Sequence, residues 1–91
     1  MASSKEFLNF VLEQCSELTA RPMMGEYVIY FRGKVVGGIY DNRFLLKQSA
    51  AAKTFLKSAE AAVPYKGAKE MLVLDNLDDR ELLKDLLEAM I

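Results

Sequence analysis

The chain has 91 residues, of which 52% are apolar and 27% are charged, and its net charge at pH 7 is −1. This length fits one folded domain, and the composition is that of a globular protein rather than of a disordered tail. We therefore expect a single domain over residues 1–91. No apolar run reaches the ~18 residues of a membrane span and no secretory signal opens the chain, which predicts a cytoplasmic protein with no membrane partner.

The sequence contains no histidine and a single cysteine, Cys15. The absence of histidine removes the side chain that most often serves as a general base near neutral pH, and also the commonest zinc ligand. Glu13 and Glu17 flank Cys15, and their negative charges would oppose formation of a thiolate. We interpret Cys15 as a buried structural residue, with a redox or modification site as the alternative.

The first predicted element is a helix that begins at Ser3 and ends near Thr19. Ser3 and Glu6 have the spacing of a capping box, in which each side chain satisfies a free backbone N–H of the other residue. Apolar residues then recur at spacings of three and four, which predicts one buried helix face. A short strand before Pro22 remains an alternative for the end of this segment.

A three-stranded antiparallel meander is predicted next, with strands at Glu26–Phe31, Lys34–Tyr40 and Arg43–Gln48. Each strand is rich in β-branched or aromatic residues. The turns between them are Arg32-Gly33 and Asp41-Asn42, both of which suit left-handed backbone conformations. Two-residue connections require the joined strands to be antiparallel.

Two glycines, Gly37 and Gly38, interrupt the middle strand. Glycine is unfavourable inside a strand and usually marks a bulge or a close approach by another part of the protein. We expect a β-bulge or a helix crossing at this point. Contact with a ligand or partner is the alternative.

After the meander, Ser49 is predicted to cap a helix that runs to roughly Ala59, with Phe55 and Leu56 as its apolar contacts. A loop over residues 61–68 should follow. A strand over residues 70–74 is then predicted from its run of apolar residues.

The last predicted helix has the clearest start in the sequence. Asp78 is its expected N-cap, Glu81 completes a capping box, and Leu77 is positioned to pack on Leu82. The predicted order of elements is helix, three-stranded meander, helix, strand and helix. This order belongs to the α+β class, with helices packed on an antiparallel sheet.

Acidic residues crowd the last third of the chain, but they do not form a metal-binding motif. Asp78 and Glu81 are accounted for by capping, and the glycine-centred calcium loop is absent. Gly33, Gly37 and Gly38 lack the spacing of a dinucleotide-binding or phosphate-binding loop. We therefore predict no catalytic residues, no metal and no cofactor. A small enzyme that uses Cys15 or a carboxylate is the least favoured interpretation.

Charge is distributed unevenly along the chain. Residues 19–69 carry nine Lys or Arg against three acids, whereas residues 70–91 carry two against seven. If the cations of the basic segment share one face, that face can meet an acidic protein surface or nucleic-acid phosphates. Otherwise they form a solvated rim that pairs partly with the acidic last helix.

The meander lacks a clean alternation of apolar and polar residues. Tyr27, Ile29 and Phe31 should point to one side of the sheet, whereas Val28 and Tyr30 should point to the other. Three short helices cannot readily cover both faces, so we predict a surface for a protein partner or for a homodimer. The candidate residues of this surface are Tyr30, Arg32, Lys34, Tyr40, Arg43, Lys47, Lys53 and Lys57.

The chain reads RPMMGEY from Arg21 to Tyr27, and then carries Gly33, Asp41 and Leu46-Lys47. In these residues it resembles the N-terminal domain of the TfoX (Sxy) family of bacterial competence regulators. The resemblance extends over most of the chain from Thr19 onward. It implies a secretion-chaperone-like α+β fold, no catalytic residues, and a regulatory role with a transcription activator at competence promoters.

Taken with the residue patterns, the resemblance favours a non-enzymatic domain that acts through protein contact. Its expected process is the regulation of transcription or of DNA-uptake competence. The alternative is a nucleic-acid-binding accessory domain that uses the basic segment 19–69. Loss of binding with rising salt in a mobility-shift titration would distinguish this alternative.

Overall fold

The computed structural model describes residues 3–75 and 77–91. Six strands form one antiparallel sheet in the order β1-β2-β3-β4-β6-β5. The elements in chain order are α1 (Lys5–Glu13), β1 (Leu18–Met23), β2 (Glu26–Phe31), β3 (Lys34–Tyr40), β4 (Arg43–Leu46), α2 (Ala50–Phe55), β5 (Ala61–Ala62), β6 (Met71–Leu74) and α3 (Arg80–Met90). The predicted α+β class is confirmed. Within the described ranges, no helix is long and apolar enough to span a membrane.

The prediction for the first helix was wrong at both ends. Its N-cap is Ser4, whose side chain accepts a hydrogen bond from the Phe7 N–H, and the helix stops at Glu13. The last apolar residue at the predicted helical spacing, Leu18, instead opens β1, which pairs along its whole length with β2. Because that pairing satisfies the backbone of the entire segment, it outweighs the helical spacing of the side chains. The strand alternative is therefore correct.

Ser3, the predicted cap, has a different role at the end of the sheet. Its backbone N–H and its hydroxyl both donate to the Glu26 carboxylate, at 2.8 and 2.5 Å. The same carboxylate accepts the Asp41 N–H at 3.0 Å, and the Asn42 N–H donates to the Ser3 hydroxyl oxygen at 3.0 Å. Three donors on one carboxylate thus tie the start of the chain to the β3–β4 turn.

The predicted meander is present as β2, β3 and β4, although β4 ends at Leu46 rather than at Gln48. Both predicted turns have left-handed conformations, with φ of 51° and 80° at Arg32-Gly33 and of 52° and 55° at Asp41-Asn42. Positive φ at both central residues is the property of the two-residue hairpin turn that matches strand twist.

A bulge lies in the middle of β3, as the two glycines predicted. Ile29 pairs with Gly37, but the next residue of β2 pairs with Val35, so Val36 is the extra residue. Gly37 is required because a Cβ there would overlap the Leu45 carbonyl oxygen. Beyond the bulge, the Lys47 N–H still bonds to the Val36 carbonyl at 3.0 Å, so the strands stay joined.

All three helices cover the same face of the sheet. The main core lies between this face and the helices, and it takes residues from α1, α2, α3 and five strands. Its largest fully buried side chains are Phe31, Phe44, Ile29, Ile39, Leu46, Leu83, Leu86, Leu87, Val11 and Val36. A smaller apolar cluster of Tyr40, Leu45 and Val73 lies on the opposite face.

Three details of the second half differ from prediction. Helix α2 ends at Phe55, which is 39% exposed rather than buried, whereas the other predicted contact, Leu56, packs against the core, as does the fully buried Ala52. Part of the predicted loop over residues 61–68 forms β5, because a short pairing with β6 is available there. The N-cap of α3 is Asp79, one residue later than predicted, since its side chain reaches the Leu82 N–H.

Substitution of Gly37 by alanine should reduce the free energy of unfolding by about 2–3 kcal/mol, because the new Cβ would overlap the backbone of β4. Gly33→Asn is the comparison variant, since no atom lies within 4 Å of a Cβ at that turn and asparagine adopts a positive φ more readily than other side chains, so its cost should be the smaller of the two. Urea unfolding measures both variants. Equal stability of the two would contradict the close approach at Gly37.

Ser3→Ala should lower the free energy of unfolding by about 1–2 kcal/mol, because it leaves Glu26 and Asn42 each without one partner. Amide hydrogen exchange at Asn42 should accelerate as well. Ser58→Ala, at an exposed serine, should change neither quantity. Unchanged exchange at Asn42 in Ser3→Ala would show that the hydroxyl does not hold the turn.

Candidate protein-contact face

The face of the sheet opposite the helices is exposed over β1, β2 and the first part of β3. We call this part, together with Arg43 at its margin on β4, the open face and define it by the residues that point outward there. They are Thr19, Arg21, Met23, Glu26, Val28, Tyr30, Val35 and Arg43. Directly paired residues share a face of a sheet, and the pairs Arg21–Val28, Met23–Glu26 and Tyr30–Val35 build it strand by strand.

The open face exposes large apolar side chains beside cations. Met23 is 36% exposed and Val35 is 42% exposed, while Val28 and Tyr30 are half-buried. Contiguous exposed apolar surface rimmed by charge is typical of a contact site. The bulge at Val36 contributes to this arrangement, because it turns Val36 into the core and leaves Val35 outside.

The other half of the same face is covered by the chain between β5 and β6. The rings of Tyr65 and Tyr40 lie with their centroids 6.2 Å apart, and Tyr40 is only 7% exposed. Burial, and then the neighbouring Tyr65 and Glu26, raise the pKa of Tyr40 above its ordinary value. The ring of Tyr40 also occupies the space that a Cβ at residue 38 would fill. This explains why glycine is needed at Gly38 as well as at Gly37.

The eight residues predicted as a partner surface do not form one surface. Tyr30 and Arg43 belong to the open face, whereas Tyr40 lies beneath Tyr65. Lys53 and Lys57 lie in and just after α2, on the helix-covered side. Of the remaining three, Lys47 follows β4, and Arg32 and Lys34 flank the β2–β3 turn.

Sequence reasoning missed the contribution of β1 to the open face. Arg21 and Met23 reach it only because the segment is a strand rather than the end of a helix. The alternation of Tyr27 and Ile29 toward the core with Val28 and Tyr30 away from it was correctly predicted. Continuing that alternation through the β1–β2 turn is the signal that could have identified the two missing residues.

Arg32 contributes to the fold through ion pairs. Its guanidinium bonds to Glu17 at 3.0 Å and to Glu88 at 2.8 Å, and it lies 4.8 Å from the centroid of the Phe31 ring. The hydrogen bond from Arg32 lowers the pKa of the Glu17 carboxyl, and the bonds to both carboxylates raise the pKa of Arg32. This cation therefore joins β2 to the last helix.

The free edge of β1 is poorly suited to pairing with another strand. In a two-residue hairpin, the two residues that flank the turn bond to each other through their backbones, and here they are Met23 and Glu26. The backbone groups of the preceding residue, Pro22, therefore face away from β2, toward the free edge. Proline lacks an N–H donor and blunts a sheet edge. The opposite edge, β5, is only two residues long. Neither edge of the sheet is therefore well suited to pairing with a further strand.

Cys15 is a free, partly buried thiol that packs against the main core. Its placement agrees with the structural interpretation. Over residues 3–75 and 77–91, no three cysteine or acidic side chains come together in a way that could hold a metal ion.

Comparison with known proteins identifies the family of this fold. The family model described as the TfoX N-terminal domain matches residues 11–89. The chain belongs to the TfoX N-terminal domain family. It is 36% identical over 93 residues to the "Uncharacterized 12.7 kDa protein in trpE 5'region" of Spirochaeta aurantia, a match that covers 98% of this chain and 81% of the relative. No solved structure matches.

Membership of the TfoX N-terminal domain family confirms the resemblance seen in the sequence. It is consistent with a regulatory domain related to competence. The motif from Arg21 to Tyr27 that carried the resemblance forms the second half of β1, the β1–β2 turn and the start of β2. The family motif thus lies at one end of the open face.

Arg32→Gln should move the titration midpoint of Glu17 up toward its ordinary value of 4.5, because the hydrogen bond that lowers its pKa is lost. Carboxyl ¹³C NMR measures that midpoint. A carboxyl whose pKa is lower in the folded state than in the unfolded state stabilises the fold at pH values above its unfolded-state pKa. This stabilisation is lost as the pH falls through its folded-state pKa. The stability difference between wild type and Arg32→Gln should therefore narrow below pH 4.5.

Lys57→Gln is the control for this titration, because it removes one positive charge beyond α2 and leaves the Arg32 bonds intact. The Glu17 midpoint should not move in that variant. If Arg32→Gln and Lys57→Gln shift the titration midpoint of Glu17 equally, the shift comes from the net charge of the protein rather than from the ion pair.

Proposed function

We propose that this domain is a non-enzymatic regulator that binds an acidic surface of a protein partner through the open face. The observation that carries the proposal is an apolar group in which Met23 and Val35 are exposed and Val28 and Tyr30 are partly buried, on a sheet face that no helix of the described residues covers. An aromatic side chain among aliphatic ones is the composition that protein interfaces favour at their centre.

The charges around this apolar group determine the kind of partner. Arg21 and Arg43 point outward from the open face, and the Glu26 carboxylate beside them accepts hydrogen bonds from Ser3 and Asp41. An interface with this rim is complementary to acidic residues around an apolar centre. A second copy of the chain fits less well, since a two-fold interface would bring the two basic rims together.

Nucleic acid is also less favoured by the distribution of cations. A phosphate-binding surface needs several lysines or arginines along one face. In this fold Lys53 and Lys57 lie on the opposite side of the sheet from Arg21 and Arg43, and Arg32 is occupied by two carboxylates. The cations of the basic segment are therefore divided between the two sides of the sheet.

Family membership supports a more specific proposal about the process. We propose that the partner belongs to the transcription machinery and that binding regulates genes for DNA uptake. The catalytic alternatives are less favoured, because Cys15 packs against the core and the Glu26 carboxylate of the open face already accepts hydrogen bonds from Ser3 and Asp41.

Site-specific photo-crosslinking tests the contact. A benzophenone amino acid at Tyr30 should capture an acidic protein in the native host, whereas the same group at Phe10, an exposed aromatic position of α1, should not. The captured protein is then purified and its affinity is measured by calorimetry. Arg21→Glu together with Arg43→Glu should weaken binding by about tenfold or more, and DNA-uptake transcripts should fall in the same variant.

Lys53→Glu together with Lys57→Glu is the matched control, because it changes the net charge equally on the helix-covered side. Affinity and transcripts should stay at wild-type levels in this variant. Equal losses in both double variants would contradict the open face as the contact site. Crosslinking of the chain to itself would identify the partner as a second copy of the chain. A salt-sensitive mobility shift of DNA that the Arg21→Glu, Arg43→Glu variant abolishes would identify it as nucleic acid.

A further inference from the structure

A separate cleft lies on the covered half of the same sheet face. Its volume is about 360 Å³, and its lining residues are Tyr40, Lys47, Gln48, Pro64, Tyr65, Ala68, Lys69, Glu70 and Met71. The chain between β5 and β6 forms one wall and the end of β4 with the start of β6 forms the other. A volume of this order lies within the range of small-molecule sites, which begins at roughly 300 Å³.

The walls of the cleft are aromatic and aliphatic. The Tyr40 and Tyr65 rings are tilted by 56° with centroids 6.2 Å apart, and Pro64 and Met71 add apolar surface. Two tilted rings offer a face and an edge to a third ring, which is the geometry that aromatic groups prefer. Tyr65 is 58% exposed, so much of its surface remains available for contact.

The polar groups of the cleft favour an anion. Lys47 and Lys69 both line it, against Glu70 as the one lining acid. Every buried side-chain oxygen or nitrogen of the described chain has a hydrogen-bond partner. The Tyr40 hydroxyl has no partner among the described residues, so it reaches solvent although the residue is only 7% exposed.

We propose that this cleft binds a small planar aromatic carboxylate, with its ring against Tyr40 and Tyr65 and its carboxylate beside Lys47 and Lys69. The site is distinct from the open face, so it adds a ligand to the proposed regulator rather than another part of the same contact. Glu70 is an exposed acid that lines the cleft, and its repulsion disfavours ligands with more than one negative charge.

Three probes that share a naphthyl ring and differ in charge test the class of ligand. Naphthalene-1-acetate, naphthalene-1-acetamide and 1-naphthylmethylamine are titrated into the ¹⁵N-labelled chain, and amide shifts are followed by NMR. The acetate should bind tightest and the amine weakest, with shifts confined to the cleft. The double substitution Lys47→Gln and Lys69→Gln should weaken binding of the acetate by about fivefold and leave binding of the acetamide unchanged. Tyr65→Ala should weaken both by about tenfold.

Two controls make the result specific. Lys53→Gln together with Lys57→Gln removes the same charge from the helix-covered side, and Phe55→Ala removes another exposed aromatic ring there. Neither should change binding of the acetate. Equal affinities for the three probes, shifts centred on the helices, or unchanged binding in the two-lysine cleft variant would overturn the proposal. Arg21→Glu should leave acetate binding intact, which separates this site from the protein contact.

Discussion

The close approach of two strands at Gly37 is the constraint on which the sheet depends. A Cβ at this residue would overlap the Leu45 carbonyl, so β3 and β4 can meet here only through glycine. The bulge beside it shifts the alternation of β3 by one residue, and such a shift exchanges the two faces of a strand. Val36 thereby enters the core while Gly38 and Tyr40 remain on the opposite side.

The two faces then acquire different chemistry. The helix-covered face is packed with large aliphatic and aromatic side chains from the sheet and from the helices. The opposite face has no helix, and a short segment around Tyr65 shields only the part over Tyr40, Leu45 and Val73. This partial cover leaves the open face on one half and the aromatic cleft on the other. Both proposed sites follow from one-sided helix packing.

The sequence predicted the elements whose signals are local. The meander, its two turns and the bulge all follow from residues adjacent in the chain, such as Arg32-Gly33 and Gly37-Gly38. The prediction of where the first helix ends was wrong because Leu18 continues the helical spacing, whereas its strand partner, Phe31, is distant in sequence. The candidate surface was only partly predicted for the same reason: charge along the chain cannot show that Lys53 and Arg43 lie on opposite sides of a sheet.

Because successive residues of a strand alternate between the core and the open face, tolerance to substitution should alternate in the same way. In β2, Ile29 and Phe31 are fully buried, whereas Val28 and Tyr30 are half-exposed. Changes at the first pair alter folding, while changes at the second pair alter contacts and leave folding largely intact. Evolution can therefore redirect such a domain to new partners by varying every second residue of two or three strands.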